Sequence, residues 1–303
     1  MTPLSQKILD EYQVRKTRTQ KSAFIALLKE HFPQLQVQEG RLIKCRNLVI
    51  GDPETAEVIL TAHYDTCSAM PLPNFITPKK PLLTILYSLI LVLPLFAIML
   101  LTNWGLNQWL DLFWLDYFIS IAVYFGLLAL FILGPANKHT ANDNTSGVIT
   151  LCELLQRLPE DLRNKAAFVF FDHEETGLIG SYNFHKQYKD IMKSKLLINF
   201  DCVSEGDHLL LAASKAASST YGEKFAEAFV GNETKNVLID RLEKVYYPSD
   251  HSGFPVALAV AALKKKKFVG YYMDRIHTSR DTVFDEANID LLCSNVQKFL
   301  EIM

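Results

Sequence analysis

The sequence predicts an α/β protein with a mostly parallel mixed sheet flanked by helices and an inserted two-helix transmembrane hairpin. Three observations predict it. Short continuous apolar runs such as "KAAFVFFD" and "KLLINFDCV" suit strands buried on both faces. They alternate with stretches such as "SGVITLCELLQRL", whose apolar residues recur at i, i+3 and i+4, as on a helix packed against a sheet. Ahead of them, "PLLTILYSLILVLPLFAIMLLTNW", beginning at Pro81, carries no charged residue and is long enough to cross a bilayer.

Taken in order, residues 4–31 give two short amphipathic helices separated by the basic "RKTRTQK", which reads as a solvated turn. "RLIKCRNLVIGDPETAEVILTAHYDT" reads as a hairpin turning at "GDPE" and ending in a strand covered on both faces. After the insertion come a helix in "SGVITLCELLQRL", the strand "KAAFVFFD", a helix in "LIGSYNFHKQY" and the strand "KLLINFDCV". Further strands are expected in "LAVAALKK" and "KKFVGYYM", and a closing helix over residues 289–303. Ligand sites in such sheets form outside the carboxyl ends of the strands, where "HYD", "DHEE" and "DC" stand.

Composition narrows the partners. In 303 residues, 31 Lys and Arg stand against 33 Asp and Glu, a near balance that offers no nucleic-acid surface. The five cysteines are odd in number and never spaced CxxC, so neither a disulfide framework nor a thiolate zinc site is indicated. They read as buried or free thiols in a reducing compartment. The N-terminal stretch "MTPLSQKILDEYQVRKTRTQKS" is charged throughout and lacks the apolar core of a signal peptide, so the chain start is expected in the cytoplasm.

His63 and Asp65 in "TAHYDT" point to the same side of a strand, a spacing that lets a carboxylate orient an imidazole, although a structural histidine explains it as well. Asp143 in "ANDNTSGV" precedes a helix that it could merely cap. "FFDHEETGLIGS" is harder to explain away, because Glu174 and Glu175 crowd beside Asp172 and repel unless a cation compensates. Asp201 ends the next buried strand, and His277 lies in a polar loop near the last helix. Together His63, Asp143, Glu175, Asp201 and His277 offer two imidazoles and three carboxylates, the nitrogen and oxygen set suited to zinc. Five such ligands hold two metals if one carboxylate bridges, and Glu174 remains as a base that is not a ligand.

In the order "AHYDT", "NDNTSG", "DHEETGLIGS", "NFD", "SDHSGF", "IHTSRDT", the chain resembles the zinc exopeptidase family that includes aminopeptidase Y, aminopeptidase S and bacterial leucyl aminopeptidase. The resemblance runs along nearly the whole chain apart from the N-terminal helices and the apolar insertion. It implies the zinc exopeptidase fold, peptide substrates cleaved at their N-termini, and two zinc ions per chain. One zinc would be held by His63 and Asp201, the other by Glu175 and His277, with Asp143 on both and Glu174 as general base. Asp65 would sit behind the ligands, and Tyr246 stands where relatives carry a tyrosine that hydrogen-bonds the tetrahedral intermediate, with Tyr247 an equally reachable neighbour. Asp250 and His251 match a motif near the substrate pocket, or a turn held by its own hydrogen bonds. A glutaminyl-cyclase-like acyltransferase with one zinc on Asp143, Glu175 and His277, and an inactive membrane scaffold, are the rival readings. The intact His63, "NDN" and Glu174 favour the two-metal peptidase.

The sequence thus divides into a catalytic domain over residues 1–80 and 135–303 and a hairpin over residues 81–134. Residues 82–102 and 117–134 are the two candidate spans, with Trp104, Trp109, Trp114 and Tyr117 clustered at one end as interfacial aromatics do. Lys79, Lys80 and Lys138 flank the spans, whereas the connecting loop carries only Asp111 and Asp116. By the positive-inside rule this implies a two-span cell-membrane protein, partnered with the bilayer through residues 81–134, with a cytoplasmic catalytic domain. The four lysines at 264–267 read either as a headgroup contact or as a solvated hairpin tip.

Overall fold

The computed structural model describes residues 1–40, 44–70, 72–108 and 113–303. Its strands are β1 (Gln36–Glu39), β2 (Arg46–Ile50), β3 (Val58–His63), β4 (Ala166–Phe171), β5 (Leu196–Phe200), β6 (His208–Ala213), β7 (Asn236–Arg241), β8 (Ala257–Lys266) and β9 (Gly270–Tyr272). They form one sheet in the order β1-β2-β4-β3-β5-β8-β6-β7, with β9 paired to β8. Only the centre, β4-β3-β5-β8, is continuously parallel; β2 on β4, β1 on β2, β6 on β8 and β9 on β8 are antiparallel. The sheet is therefore more evenly mixed than the sequence suggests.

The hairpin expected at "GDPE" does not form, because β4 lies between β2 and β3. All six residues of β3 and all six of β4 are buried. A strand apolar on both faces gains more from two buried neighbours than from one local partner at an edge. The hairpin that does form joins β1 to β2.

The helices are α1 (Pro3–Glu11), α2 (Arg18–His31), α3 (Pro81–Asn107), α4 (Phe113–Leu133), α5 (Gly147–Arg157), α6 (Glu160–Arg163), α7 (Ile179–Gln187), α8 (Lys215–Ala228) and α9 (Glu286–Ile302). On one face of the sheet, Val148 and Leu151 of α5 and Leu292, Val296 and Phe299 of α9 share a core with Leu60, Phe168 and Ile198. On the other, Phe184 of α7 meets Phe171 edge-on, with ring centroids 5.5 Å apart. This clamping fixes the carboxyl ends of β3, β4 and β5, where His63 stands opposite Phe171 in register.

The basic run over residues 15–21 is not simply a solvated turn: α2 begins inside it at Arg18, and although residues 17–19 are exposed, both ends are buried. Arg15 is fully buried, its Nε donating to the Tyr64 carbonyl at 2.5 Å and its Nη1 to Thr145 Oγ1 at 3.1 Å. Lys21 is buried too, and pairs with Asp172 at the end of β4. A strand edge crowded with carboxylates favours buried cations beside it. Lys21→Met should therefore lower the unfolding free energy by about 3–5 kcal/mol, because it leaves the Asp172 carboxylate buried without its cation. Urea denaturation checks this; a loss under ~1 kcal/mol would contradict it.

Helices α3 and α4 lie along each other as a hairpin, and α3 buries none of its side chains. Leu93 is 59% exposed and Phe118 65%. Helix α3 continues through Pro94. By length and composition, Pro81–Asn107 and Trp114–Leu133 could each cross a membrane. Of the aromatic cluster, Trp104 and Trp114 are exposed, whereas Trp109 lies outside the described residues, as does Asp111. The lysine run is not simply a solvated tip: Lys264 pairs with Glu205 at 2.7 Å and with Asp274, while Lys265 and Lys266 sit over the rings of Tyr271 and Tyr272.

Candidate metal centre

The carboxyl ends of β3 and β5, the loop after β4, the segment before α5 and the loop before α9 meet at one point. His63, the last residue of β3, places its Nδ1 3.1 Å from the Asp65 carbonyl oxygen. A carbonyl only accepts, so this contact keeps a ring proton on Nδ1 and turns Nε2 toward the carboxylates. Nε2 faces Asp143 Oδ1 at 3.3 Å and Asp201 Oδ1 at 3.6 Å. The Asp65 carboxylate does something else: it accepts the backbone N–H groups of Glu174 at 3.0 Å and Glu175 at 3.3 Å, pinning the loop after β4 to the end of β3.

Asp143 is not a helix cap. Its side chain lies between two imidazoles, with Oδ2 2.9 Å from His277 Nε2. Its backbone is fixed from behind, since Asn142 N and Asp143 N donate to the two Asp281 oxygens at 2.8 and 3.0 Å. Asn144 ties the segment to β5: Nδ2 donates to the Phe200 carbonyl at 2.9 Å, and Oδ1 accepts from Gly147 N at 2.9 Å. Gly147 has to be glycine, because a Cβ there would stand 2.3 Å from the Phe200 carbonyl oxygen.

Glu175 Oε2 lies 3.4 Å from His277 Nε2, and Asp201 Oδ2 accepts the Ser249 hydroxyl at 2.6 Å. Three non-glycine residues with left-handed backbone border this cluster, His173 (φ 59°), Cys202 (φ 55°) and His277 itself (φ 60°). Such conformations persist where the surroundings over-determine them, and they are frequent at functional sites. Tyr246 is 50% exposed, whereas Tyr247 is buried with its hydroxyl donating to the Asp201 carbonyl at 3.2 Å. Asp250 and His251 are buried in the short turn Asp250–Gly253.

The charges are poised for a cation. Glu175 Oε1 and Asp201 Oδ1 are buried without a hydrogen-bond partner, although acceptors so placed ordinarily have one. His63, Asp143 and Asp201 offer atoms within 4.8 Å of one another, as do His63, Glu174 and Glu175. Burial raises Glu174 well above the usual carboxylate range, His63 opposing and Glu175, Asp250 and Asp201 adding to it. Burial likewise pushes Glu175 up to about 8, against the pull of His277. Burial alone would lower His277, but Glu175 and Asp143 hold it up at about 10. Nitrogen and oxygen donors converging around buried oxygens that lack a partner fit a divalent metal such as zinc, which would take the place of the protons these groups hold without it.

A pH dependence follows for the metal-free protein. Glu175 and His277 keep their protons in the folded state above their ordinary values of 4.5 and 6.5, so folding is favoured at low pH and that contribution is lost as pH rises. The thermal midpoint of the chelated protein should fall between pH 4.5 and about 10, and added zinc should remove most of the fall. A midpoint that rises over this window in calorimetry would contradict the arrangement.

Sequence reasoning passed over Arg15 and Asp281. Asp281 sits within the quoted "IHTSRDT", fully buried and raised to about 7 by burial and by Asp143. Its place in that motif was the available signal.

The model of Peptidase family M28 matches residues 125–299. Among solved structures, the LapA aminopeptidase of Legionella pneumophila is similar at 14% identity over 98% of this chain and 67% of its own, with a TM-score of 0.57. A glutaminyl cyclase of Porphyromonas gingivalis is similar at 17% identity over 99% and 96%, also at 0.57. A Zn-dependent exopeptidase of Parabacteroides distasonis is similar at 14% identity over 99% and 94%, at 0.55. Such identities establish a shared fold.

These relatives correct the localisation expected from the sequence. An aminopeptidase, a glutaminyl cyclase and a Zn-dependent exopeptidase share the fold over 98–99% of the chain, so the fold brings no multi-pass membrane location with it. The flanking charges that set the expected orientation have other work: Lys79 pairs with Asp240 at 2.6 Å, and Lys80 donates to the Phe268 carbonyl at 2.9 Å. What remains of the bilayer expectation is helix length and composition alone.

Proposed function

The chain belongs to peptidase family M28 and is a zinc metallo-exopeptidase, a hydrolase; from that premise we propose that it is an aminopeptidase that releases N-terminal residues from peptides with two zinc ions. His63 and Asp201 would hold one ion, Glu175 and His277 the other, and Asp143 both. The observation that carries this reading is Asp143 lying 3.3 Å from His63 and 2.9 Å from His277 through its two separate oxygens. Zinc bound there would polarise the scissile carbonyl and acidify water at neutral pH.

The chain's own residues do the rest. Glu174, held by Asp65, takes the proton of the attacking water and returns it to the leaving amine. Its raised affinity for protons suits a group that must both accept and donate one. Ser249 keeps the Asp201 carboxylate turned toward His63, while Tyr247 holds the Asp201 backbone carbonyl. Tyr246 is the candidate donor to the tetrahedral intermediate. Residues 1–80 and 135–303 then make up the catalytic domain, and residues 81–134 an insertion, a division supported by α3 burying none of its side chains.

A single-zinc acyltransferase reading would use Asp143, Glu175 and His277 and leave His63 idle. The approach of His63 to both Asp143 and Asp201 favours two metals. The test is zinc content together with hydrolysis of a panel of free and N-blocked peptides. Two zinc ions per chain and release from free peptides alone are expected; preference for blocked peptides would reject the aminopeptidase, and one zinc with cyclisation of N-terminal glutamine would replace it.

A further inference from the structure

Cys67 lies two residues after Asp65, on the segment that leaves the end of β3, and is 3% exposed. Its Sγ, a carboxylate oxygen of Glu175 and a ring nitrogen of His277 all lie within 4.8 Å of one another. The segment is fixed in that position from both sides. Asn137 N donates to the Cys67 carbonyl at 3.0 Å, Ala69 N to the Pro135 carbonyl at 2.8 Å, and Met70 N to the carbonyl of His277 itself at 2.7 Å. The thiol and the imidazole are thus carried by strands of chain bonded directly to each other.

A buried cysteine is often a small apolar filler. This one faces carboxylates instead, and one of them is incomplete: the Glu175 side chain is 8% exposed, and its Oε1 has no hydrogen-bond partner among the described residues. Burial together with Glu175, Asp143 and Asp281 holds the thiol protonated when no cation is near. A divalent metal between Glu175 and His277 would satisfy the orphaned oxygen and the thiol at once.

We propose that Cys67 is a protein ligand of the metal position formed by Glu175 and His277, giving that position a sulfur donor while the His63 and Asp201 position has only nitrogen and oxygen. This rests on the metallopeptidase reading above. Coordination replaces the thiol proton with the metal: Cys–SH and a divalent cation give the metal-bound thiolate, and one proton passes to solvent. A sulfur donor selects borderline and soft cations such as zinc, cobalt and cadmium at this position over magnesium or manganese. The two positions would then differ in metal preference within one centre.

The test is the absorption spectrum of the full chain loaded with cobalt, with bound metal measured in the same samples, for the wild type and for Cys67→Ser and Cys67→Ala. The wild type should show an intense near-ultraviolet sulfur-to-cobalt charge-transfer band beside the weaker visible bands. Both variants should lose the intense band, and Cys67→Ser, nearly isosteric, should keep the visible ones. A wild type that binds cobalt without the band, or a band that survives in Cys67→Ser, overturns the thiolate ligand and leaves the peptidase reading standing. A wild type that binds no cobalt overturns both.

Discussion

Glu174→Gln should keep its zinc content and lose turnover by about 10²–10⁴-fold, the usual contribution of a positioned acid–base group. Gln preserves the volume of the side chain, and the backbone N–H of residue 174 still meets Asp65 Oδ1, so the loop after β4 keeps its place. What disappears is the capacity to take a proton and give it back. Gln also removes one carboxylate from a crowd in which Glu174 already sits beside Glu175, Asp250 and Asp201, so the variant should be no less stable than the parent. Activity and metal content must therefore part company. Turnover within tenfold of the parent, at equal zinc, would remove Glu174 as the base; loss of zinc along with activity would make it a ligand instead.

The distance between what the sequence discloses and what it hides depends on how local the deciding interaction is. His63, Asp201 and the pair Glu174 and Glu175 were legible because each follows a short run of consecutive buried residues, and a sheet delivers such positions to its carboxyl edge whatever the loops do. The hairpin at "GDPE" was misread because strand neighbours are chosen by buried area across the chain, here by β4 from more than a hundred residues downstream. Strands β6 and β7 and helix α8 went unread. Helix α8, "KAASSTYGEKFAEA", buries only Ala217, Phe225 and Ala228, too few apolar positions to show a period, while β7 is largely exposed.

Arg15 shows the same limit from the other side. A basic run ordinarily faces water, and nothing within seven residues of it announces the Tyr64 carbonyl, the Thr145 hydroxyl or the nearby charges of Asp65 and Asp143. Its burial is a property of the assembled centre. Asp65 is the intermediate case, since its closeness to His63 was legible from spacing, but its grip on the backbone of Glu174 and Glu175 needed the packing of β3 against β4. The hairpin was legible as two long apolar helices, yet flanking lysines held by Asp240 and by the Phe268 carbonyl give no orientation.

Asp143→Asn should remove metal from the centre far more completely than Asp281→Asn does. Asp143 offers one oxygen to His63 at 3.3 Å and the other to His277 at 2.9 Å, and although burial alone would raise it, those two histidines hold its pKa below the usual carboxylate range. Asn offers one oxygen where two are used, and no charge, so both positions lose a donor at once. The backbone of residue 143 still donates to Asp281, which keeps the segment before α5 in place and makes the loss one of chemistry rather than of fold. Asp281→Asn is the opposite case: it weakens the support behind Asp143 and leaves every inward-facing donor intact, so metal affinity should fall by the ~10–100-fold expected for the outer partner of a ligand. Zinc titration of the chelated proteins, followed by activity, separates the two. If Asp143→Asn holds zinc as tightly as Asp281→Asn does, Asp143 is not a carboxylate shared between two metal positions.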